Sequence, residues 1–312
     1  NQINRGALVV NYTGHGGEQG LAHERIVEIS DINNWNNYYA MPLLVTATCE
    51  FTRFDSPQLT SAGELAILNK NGGAIALFTT TRIAFANSNF AINTALYQHL
   101  SEKKQQQFLS IGEIINLTKY DMGASTTFKN FVIIGDPALK LNYPKYSIVT
   151  KSINSNSPDK DTLKQLSKVN ISGYIADING QPITNFNGII YTTIFDKKTS
   201  AQTLANDNES QKYNFQLFKN IIYKGKNSVT NGNFNISFYI PKDIDIRYGY
   251  GRISYYAQNN YTDATGYFNN VIIGGTANNI TDHNCYPQID LYLNNKSFAN
   301  NSITNNNPIL IA

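Results

Sequence analysis

Two short apolar runs near the start of the chain each lead to a residue that can carry out chemistry. Residues 7–13 read Ala-Leu-Val-Val-Asn-Tyr-Thr and continue to His15, and residues 43–48 read Leu-Leu-Val-Thr-Ala-Thr and continue to Cys49. Runs rich in Val, Leu and Thr with polar or glycine ends are typical of buried strands of an α/β sheet. Ligands bind beyond the carboxyl ends of the strands in such sheets, so neighbouring strands would bring His15 and Cys49 together there.

A cysteine beside a histidine is a residue pair used for nucleophilic catalysis. An imidazole stabilises the thiolate and can later protonate a leaving amine, which predicts Cys49 as the nucleophile and His15 as the acid/base. Glycines follow the histidine and leave backbone N–H groups open, so the N–H groups of Gly16 and Cys49 are predicted to form an oxyanion hole. Successive extended residues alternate in direction, so we expect the Glu50 carboxylate to point away from the thiol.

Three further residues beside these runs are candidates for substrate binding. Arg53 and Arg82 follow two predicted strand ends and, with Glu50, are predicted to contact the substrate, for example by holding a carboxylate or a phosphate. A solvated surface position is the alternative for both arginines. Asp136 precedes Pro137 and is interpreted as a turn residue rather than as a catalytic acid.

Other classes of function stay open at this stage. The spacing of His15, Glu18 and His23 fits a zinc site of a carboxypeptidase-like hydrolase, although a glycine pair between ligands weakens that interpretation. A cysteine after an apolar run is most often a small buried side chain, which would leave a non-catalytic surface binding scaffold. The chain contains no Gly-x-Ser-x-Gly sequence, so a serine hydrolase is not indicated.

The composition and the residue distribution give no sign of a nucleic-acid partner, a disulfide framework or a membrane helix. The formal net charge is +3 and the calculated pI is about 8.6, and lysine and arginine form no stripe, so no nucleic acid is expected. The two cysteines, Cys49 and Cys285, fall in different predicted domains and indicate no disulfide framework. The sequence contains no apolar run of the ~18 residues that a membrane helix needs.

The pattern along the chain divides it into four parts. Residues 1–145 alternate strand and helix patterns, which predicts a mostly parallel α/β sheet. Residues 146–168 are predicted to be a linker, because Ser, Asn, Asp and Lys dominate most of them. Residues 169–280 show period-two alternation with turn signals such as Asn231-Gly232, which predicts an all-β immunoglobulin-like sandwich. Residues 281–312 are predicted to be the incomplete start of a further β-module.

The sequence contains a third motif in addition to the histidine and the cysteine. Residues 131–139 read Phe-Val-Ile-Ile-Gly-Asp-Pro-Ala-Leu, and the histidine precedes the cysteine by 34 residues, from 49 − 15. This combination resembles the caspase-like cysteine peptidases and, among them, the gingipain family, over roughly residues 1–145. The resemblance implies a caspase-like (gingipain-like) fold and supports the roles of Cys49 and His15.

The sequences at residues 11–17 and 46–50 are most similar to the branch of that family that acts as C-terminal signal peptidase and sortase in type IX secretion of Bacteroidota. This likeness implies removal of a cargo protein's C-terminal sorting domain through a thioester, and transfer of the new C-terminus to anionic lipopolysaccharide. The implied partners are cargo C-terminal domains, that lipopolysaccharide and other outer-membrane proteins of the secretion system. The likeness further implies an exported, outer-membrane-associated protein at the cell surface. It implies that no cofactor is required and is compatible with a structural calcium ion.

One departure from the family pattern concerns the acid that orients the histidine. Family members are longer and place that acid upstream, whereas the fourteen residues before His15 contain no Asp or Glu. We therefore expect the chain to be a piece of a longer protein, with the orienting acid outside it.

Overall fold

The computed structural model describes residues 2–123, 126–154, 161–206, 210–277, 290–299 and 301–311. The chain divides into two units, Asn1–Lys145 and Tyr146–Ala312. His283 and Cys285 lie outside the described residues. Within those residues, no helix is both long and apolar enough to cross a membrane.

The first unit mixes helices and strands. Its helices are α1 Gln2–Arg5, α2 Ile29–Asn33, α3 Ala62–Leu68, α4 Ala86–His99, α5 Ile111–Asp121 and α6 Thr126–Lys129, with a 3₁₀ turn at Tyr38–Ala40. Its strands are β1 Val9–Thr13, β2 Gly16–Gly17, β3 Gly20–Leu21, β4 Val27–Glu28, β5 Leu43–Ala47, β6 Ala76–Thr80, β7 Lys103–Lys104, β8 Gln107–Phe108 and β9 Phe131–Gly135.

Four of these strands form the central sheet in the order β1-β5-β6-β9. The β1–β5 and β5–β6 pairs are parallel and the β6–β9 pair is antiparallel, so the predicted mostly parallel sheet is confirmed. Every residue of β5 and β6 is buried, which explains their continuous apolar sequences.

Helices cover both faces of this sheet. On one face, Leu43 and Val45 pack with Ile92 of α4 and Ile114 of α5. On the other face, alternate strand residues such as Leu44 and Leu77 pack with Ile32 of α2 and Ala66 of α3. A sheet buried on both sides leaves its strand ends as the places where polar residues can gather.

The sequence before α5 has the Ser-x-x-Glu pattern of a capping box at Ser110 and Glu113, which predicts a helix start, and the structure confirms it. Ser110 Oγ accepts a hydrogen bond from Glu113 N, and Glu113 Oε2 accepts one from Ser110 N, as the capping box predicts. In α4 the stripe that includes Phe90 and Tyr97 faces solvent, while Ile92, Ala95 and Leu96 face the core. Both stripes have helical spacing, so periodicity alone does not decide which one is buried.

His99, at the end of α4, is predicted to make the stability of the first unit depend on pH. Its ring nitrogens lie 2.6 Å from Glu102 Oε2 and 2.8 Å from Asp121 Oδ2, and these hydrogen bonds to carboxylates raise its pKa above 6.5. Because the folded state favours the protonated His99, this residue adds to the free energy of unfolding. The contribution is fully present below the ordinary histidine pKa and is lost as pH rises through the raised pKa of His99.

We therefore expect His99→Gln to lower the urea unfolding midpoint more at pH 5.5 than at pH 8.5. Urea titrations of both proteins at the two pH values measure this. An equal loss at both pH values would contradict it.

The second unit is built from strands. They are β10 Tyr146–Ile153, β11 Thr162–Gln165, β12 Lys168–Ala176, β13 Gly188–Phe195, β14 Thr199–Gln202, β15 Asn214–Leu217, β16 Ile221–Val229, β17 Asn233–Tyr239, β18 Gly249–Tyr250, β19 Arg252–Gln258, β20 Asp263–Phe268, β21 Ile272–Thr276, β22 Tyr292–Leu293 and β23 Leu310–Ile311.

Seven of them form one sheet in the order β16-β13-β19-β20-β10-β12-β17, and a smaller sheet has the order β11-β21-β18. The turn between β16 and β17 is the predicted Asn231-Gly232 pair, with φ of 49° and 74° at these two residues. Alternate residues such as Ile171, Ile190 and Ile253 form the core. The described residues of the second unit contain strands and no helix, and the all-β immunoglobulin-like arrangement stays a prediction.

The predicted linker at 146–168 is wrong in its described part. Tyr146–Ile153 forms β10, which pairs with both β12 and β20, and Thr162–Gln165 forms β11. The strand signal at Ile148 and Ile153, both buried, was obscured by the polar residues averaged with it. The described residues do not include 155–160 of that segment. Near and within the predicted further β-module, they do not include 278–289 and 300.

Candidate active site

The sheet register places the two strand ends that lead to the candidate catalytic residues beside each other along the carboxyl edge. Thr13, the last residue of β1, pairs with Ala47, the last residue of β5. His15 and Cys49 each follow two residues later, and the Gly14 N–H donates to the Ala47 carbonyl at 3.3 Å. The parallel neighbours expected from the sequence are therefore present, and the catalytic roles stay a prediction.

A short hairpin fixes the backbone of His15. Its carbonyl accepts hydrogen bonds from Tyr12 Oη at 2.6 Å and from Ala22 N at 2.8 Å, where β2 turns back along β3. Burial, followed by the charge of Glu24, raises the pKa of the Tyr12 phenol, which favours its protonated, donating form. The imidazole is exposed, and no carboxylate within the described part of the chain bonds to it.

Gly16 brings the histidine loop into contact with the cysteine loop. A Cβ at this position would lie 2.6 Å from Thr48 Oγ1 and 3.0 Å from the Gly20 carbonyl oxygen, so a side chain does not fit. The Ala22–His15 hydrogen bond makes Gly16 and Leu21 a non-hydrogen-bonded pair, so the Gly16 N–H points away from β3. The β2–β3 ladder therefore leaves this N–H unused, and its role as an oxyanion donor stays a prediction.

The loop that carries Cys49 is held by the last residue of β6 and by residues that follow this strand. Thr80 Oγ1 donates to the Thr48 carbonyl at 2.6 Å, and the Glu50 N–H donates to the Arg82 carbonyl at 3.3 Å. The thiol is half-buried, and Sγ donates to the Ala84 carbonyl at 3.5 Å. The thiol is thus accessible while its backbone is fixed on both sides.

Buried hydroxyl groups support this loop from beneath. Thr46 Oγ1 lies 2.7 Å from Thr79 Oγ1, which lies 2.9 Å from Thr52 Oγ1, and all three residues are fully buried. Buried polar groups are stable only when they are hydrogen-bonded, so this row of three hydroxyl groups fixes the turn from β5 to residue 52. Sequence reasoning missed it, although a strand with several threonines and complete burial signals such a network.

The backbone at Glu50 overturns the premise of the sequence-based expectation for its side chain, while the direction of the carboxylate relative to the thiol stays a prediction. The φ of Glu50 is +49°, in the left-handed region, because β5 has already ended at Ala47. Alternation along an extended strand therefore does not apply. The Glu50 carboxylate lies 3.7 Å from Arg53 Nη1, and the same guanidinium nitrogen lies 2.9 Å from Glu18 Oε1.

Arg82 also has a carboxylate partner. Its guanidinium donates two hydrogen bonds to Asp55, at 2.5 and 3.0 Å. These hydrogen bonds hold the pKa of the Asp55 carboxyl below its usual range. Both arginines predicted to contact the substrate therefore bind carboxylates of the chain itself. Asp136 forms the expected turn, with Oδ1 accepting from Ala138 N at 2.8 Å.

A cavity of about 640 Å³ lies beside the histidine loop. Its lining includes Gly16, Glu18, His23 and Glu50. The rings of His23 and His15, the two histidines of the zinc interpretation, are 5.1 Å apart between centroids. The β2–β3 hairpin reverses the direction of the chain and so brings the two rings close together.

The zinc alternative is not supported. Across the ranges that the structure describes, no group of three or more His, Cys, Asp or Glu residues is arranged to hold a metal ion. Glu18, the proposed carboxylate ligand, is instead bound by Arg53.

The first unit matches a known family. Residues 1–142 match the model of peptidase family C25. No curated protein sequence matches the chain.

Solved structures similar to the chain include latent dimeric PorU from Porphyromonas gingivalis, at 25% identity and a TM-score of 0.43 over 73% of this chain and 22% of that one. They also include the complex of RgpB pro- and mature domains from Porphyromonas gingivalis, at 14% identity and a TM-score of 0.40 over 84% of this chain and 55% of that one. A third is the Arg-specific cysteine proteinase gingipain R, at 14% identity and a TM-score of 0.41 over 84% of this chain and 54% of that one. The chain spans less than two thirds of each of these proteins.

Proposed function

We propose that the first unit, whose residues 1–142 match the model of peptidase family C25, is a cysteine peptidase in which Cys49 acts as the nucleophile and His15 as the acid/base. The observation that carries the proposal is the register of β1 and β5, which brings both residues two positions past paired strand ends. The contact of Gly16 with Thr48 supports it independently, because it joins the two loops at the residues next to the pair.

The proposed chemistry begins with transfer of the thiol proton. In the free state Sγ–H donates to the Ala84 carbonyl, and on catalysis this proton passes to His15. The thiolate adds to the scissile carbonyl, and the N–H groups of Gly16 and Cys49 stabilise the resulting oxyanion. Collapse breaks the C–N bond, His15 returns the proton to the leaving amine, and a thioester on Cys49 remains. No metal or other cofactor takes part in these steps.

We further propose that an amine, rather than water, resolves the thioester, which makes the enzyme a transpeptidase (sortase). The support is the sequence of residues 11–17 and 46–50, which is most similar to the sortase branch of the family. The substrate would be the C-terminal sorting domain of a type IX secretion cargo, and the acceptor would be an amine of anionic lipopolysaccharide. Other outer-membrane proteins of that system would be its partners at the cell surface.

For the second unit we propose an immunoglobulin-like arrangement. Two antiparallel runs of strands, β10-β12-β17 and β16-β13-β19-β20, are joined by the parallel β10–β20 pair. Two antiparallel layers around one core are what an immunoglobulin-like sandwich requires. Such a unit would orient the peptidase or bind a partner.

The test of the proposed function is to measure how the thioester is resolved. The full-length protein would be incubated with a cargo C-terminal domain and increasing glycine methyl ester, and the new C-terminus would be identified by mass spectrometry. We expect a Cys49-dependent product that carries the amine, in proportion to the amine concentration. A product that has gained only water would overturn transfer, and an uncleaved cargo would overturn the peptidase.

A further inference from the structure

Arg53 links the loop of the candidate base to the loop of the candidate nucleophile. Its Nη1 lies 2.9 Å from Oε1 of Glu18, three residues after His15, and 3.7 Å from Oε1 of Glu50, which follows Cys49 directly. One guanidinium therefore contacts a carboxylate from each loop.

This arrangement differs from an ordinary surface ion pair, which contributes little to stability. The side chains of Glu18 and Glu50 are only 22% and 28% exposed. Arg53 Nε is buried and has no hydrogen-bond partner in the part of the chain that is described. The Arg53 side chain is 42% exposed overall, so the burial at this contact is that of its Nε and of the two carboxylates.

The backbone on the Glu18 side is itself fixed. The Glu18 carbonyl accepts a hydrogen bond of 2.7 Å from Ala62 N at the start of α3, and the Gly63 N–H donates to the Phe51 carbonyl at 2.9 Å. The same helix start therefore contacts both loops. Arg53 adds the side-chain connection between them, close to the reacting groups.

We propose that Arg53 is a positioning residue that holds the His15 loop against the Cys49 loop and neutralises the carboxylate of Glu50, the residue that follows Cys49. The role in catalysis rests on the proposed function, whereas the effect on the thiol does not. An unpaired carboxylate next to a cysteine disfavours the thiolate by like-charge repulsion. Only the thiolate reacts as a nucleophile, so this neutralisation favours reactivity at neutral pH.

The first readout is alkylation of Cys49 by iodoacetamide at pH 7, followed by mass spectrometry of the peptide that contains it. We expect Arg53→Met to slow alkylation by about threefold to tenfold, because Glu50 then loses its guanidinium contact and only the weaker interaction with Arg82 remains. The double variant Arg53→Met/Glu50→Gln is expected to restore the wild-type rate. Arg53→Lys, which keeps the charge, is expected to alkylate within about twofold of wild type.

The second readout is turnover of a cargo C-terminal domain by the full-length protein. We expect kcat to fall about tenfold or more in Arg53→Met with KM within about twofold, because a displaced base affects the transition state more than binding. The double variant is expected to restore the alkylation rate but not kcat. This difference separates the effect of the Glu50 charge from the positioning of the His15 loop. Arg247→Met serves as the matched control, since Arg247 forms an exposed pair with Asp245 in the second unit.

The proposal is overturned if Arg53→Met is alkylated at the wild-type rate and keeps wild-type kcat. It is also overturned if Glu50→Gln fails to rescue alkylation in the double variant. Should Arg53→Met not fold, Glu18→Gln tests the same link, with lowered kcat expected and unchanged kcat counting against the proposal. Failure of the proposed function appears separately, as cargo cleavage that persists in Cys49→Ala.

Discussion

Replacing Cys49 with alanine is expected to abolish cargo processing by the full-length protein, by about 10⁴-fold or more in kcat. The thioester cannot form without the sulfur, and the oxyanion donors and binding alone leave only a small residual rate. His15→Ala is expected to lose a similar factor. The double variant should be little worse than either, because residues that act as one unit are not additive. Initial rates on a cargo C-terminal domain measure all three.

Two controls separate chemistry from folding in this experiment. Cys49 is half-buried and small, so its loss is expected to leave the urea unfolding midpoint nearly unchanged. Cys285→Ala removes the chain's other cysteine and should retain full activity. Normal accumulation of cleaved cargo in Cys49→Ala or His15→Ala would refute the assignment of that residue.

The sequence was informative where a single local signal decides the structure. Continuous apolar runs predicted β1 and β5. Ser110 and Glu113 predicted a helix start, and Asn231-Gly232 predicted a hairpin turn. Each of these features depends on residues only a few positions apart.

Features that depend on tertiary contacts were not predictable in the same way. The ion pair between Glu18 and Arg53 joins residues 35 positions apart and has no local signature. Glu50 was placed by strand alternation, although the strand ends three residues earlier and its backbone is left-handed. The strand at 146–153 was hidden because its polar neighbours dominated the average composition. In each case packing, rather than local preference, decides the conformation.

The two glycines after His15 offer a matched pair of variants at the site. At position 16 an alanine Cβ would meet Thr48 Oγ1 at 2.6 Å, whereas at position 17 nothing lies within 4 Å. Neither residue has a positive φ, so the added methyl group, not backbone strain, is the variable. Thr48 is fully buried and the Gly20 carbonyl also lies close, so neither neighbour can easily move away.

Gly16→Ala is therefore expected to separate the loops of His15 and Cys49 and to shift the Gly16 N–H from the oxyanion position. A displacement of about 1 Å at a catalytic group costs about 10²-fold in rate, and we expect a loss of that order in kcat with little change in KM. Gly17→Ala should remain within about twofold of wild type. Steady-state kinetics on a cargo C-terminal domain compare the two variants. Equal activity in both would show that the contact between Gly16 and Thr48 does not position the catalytic pair.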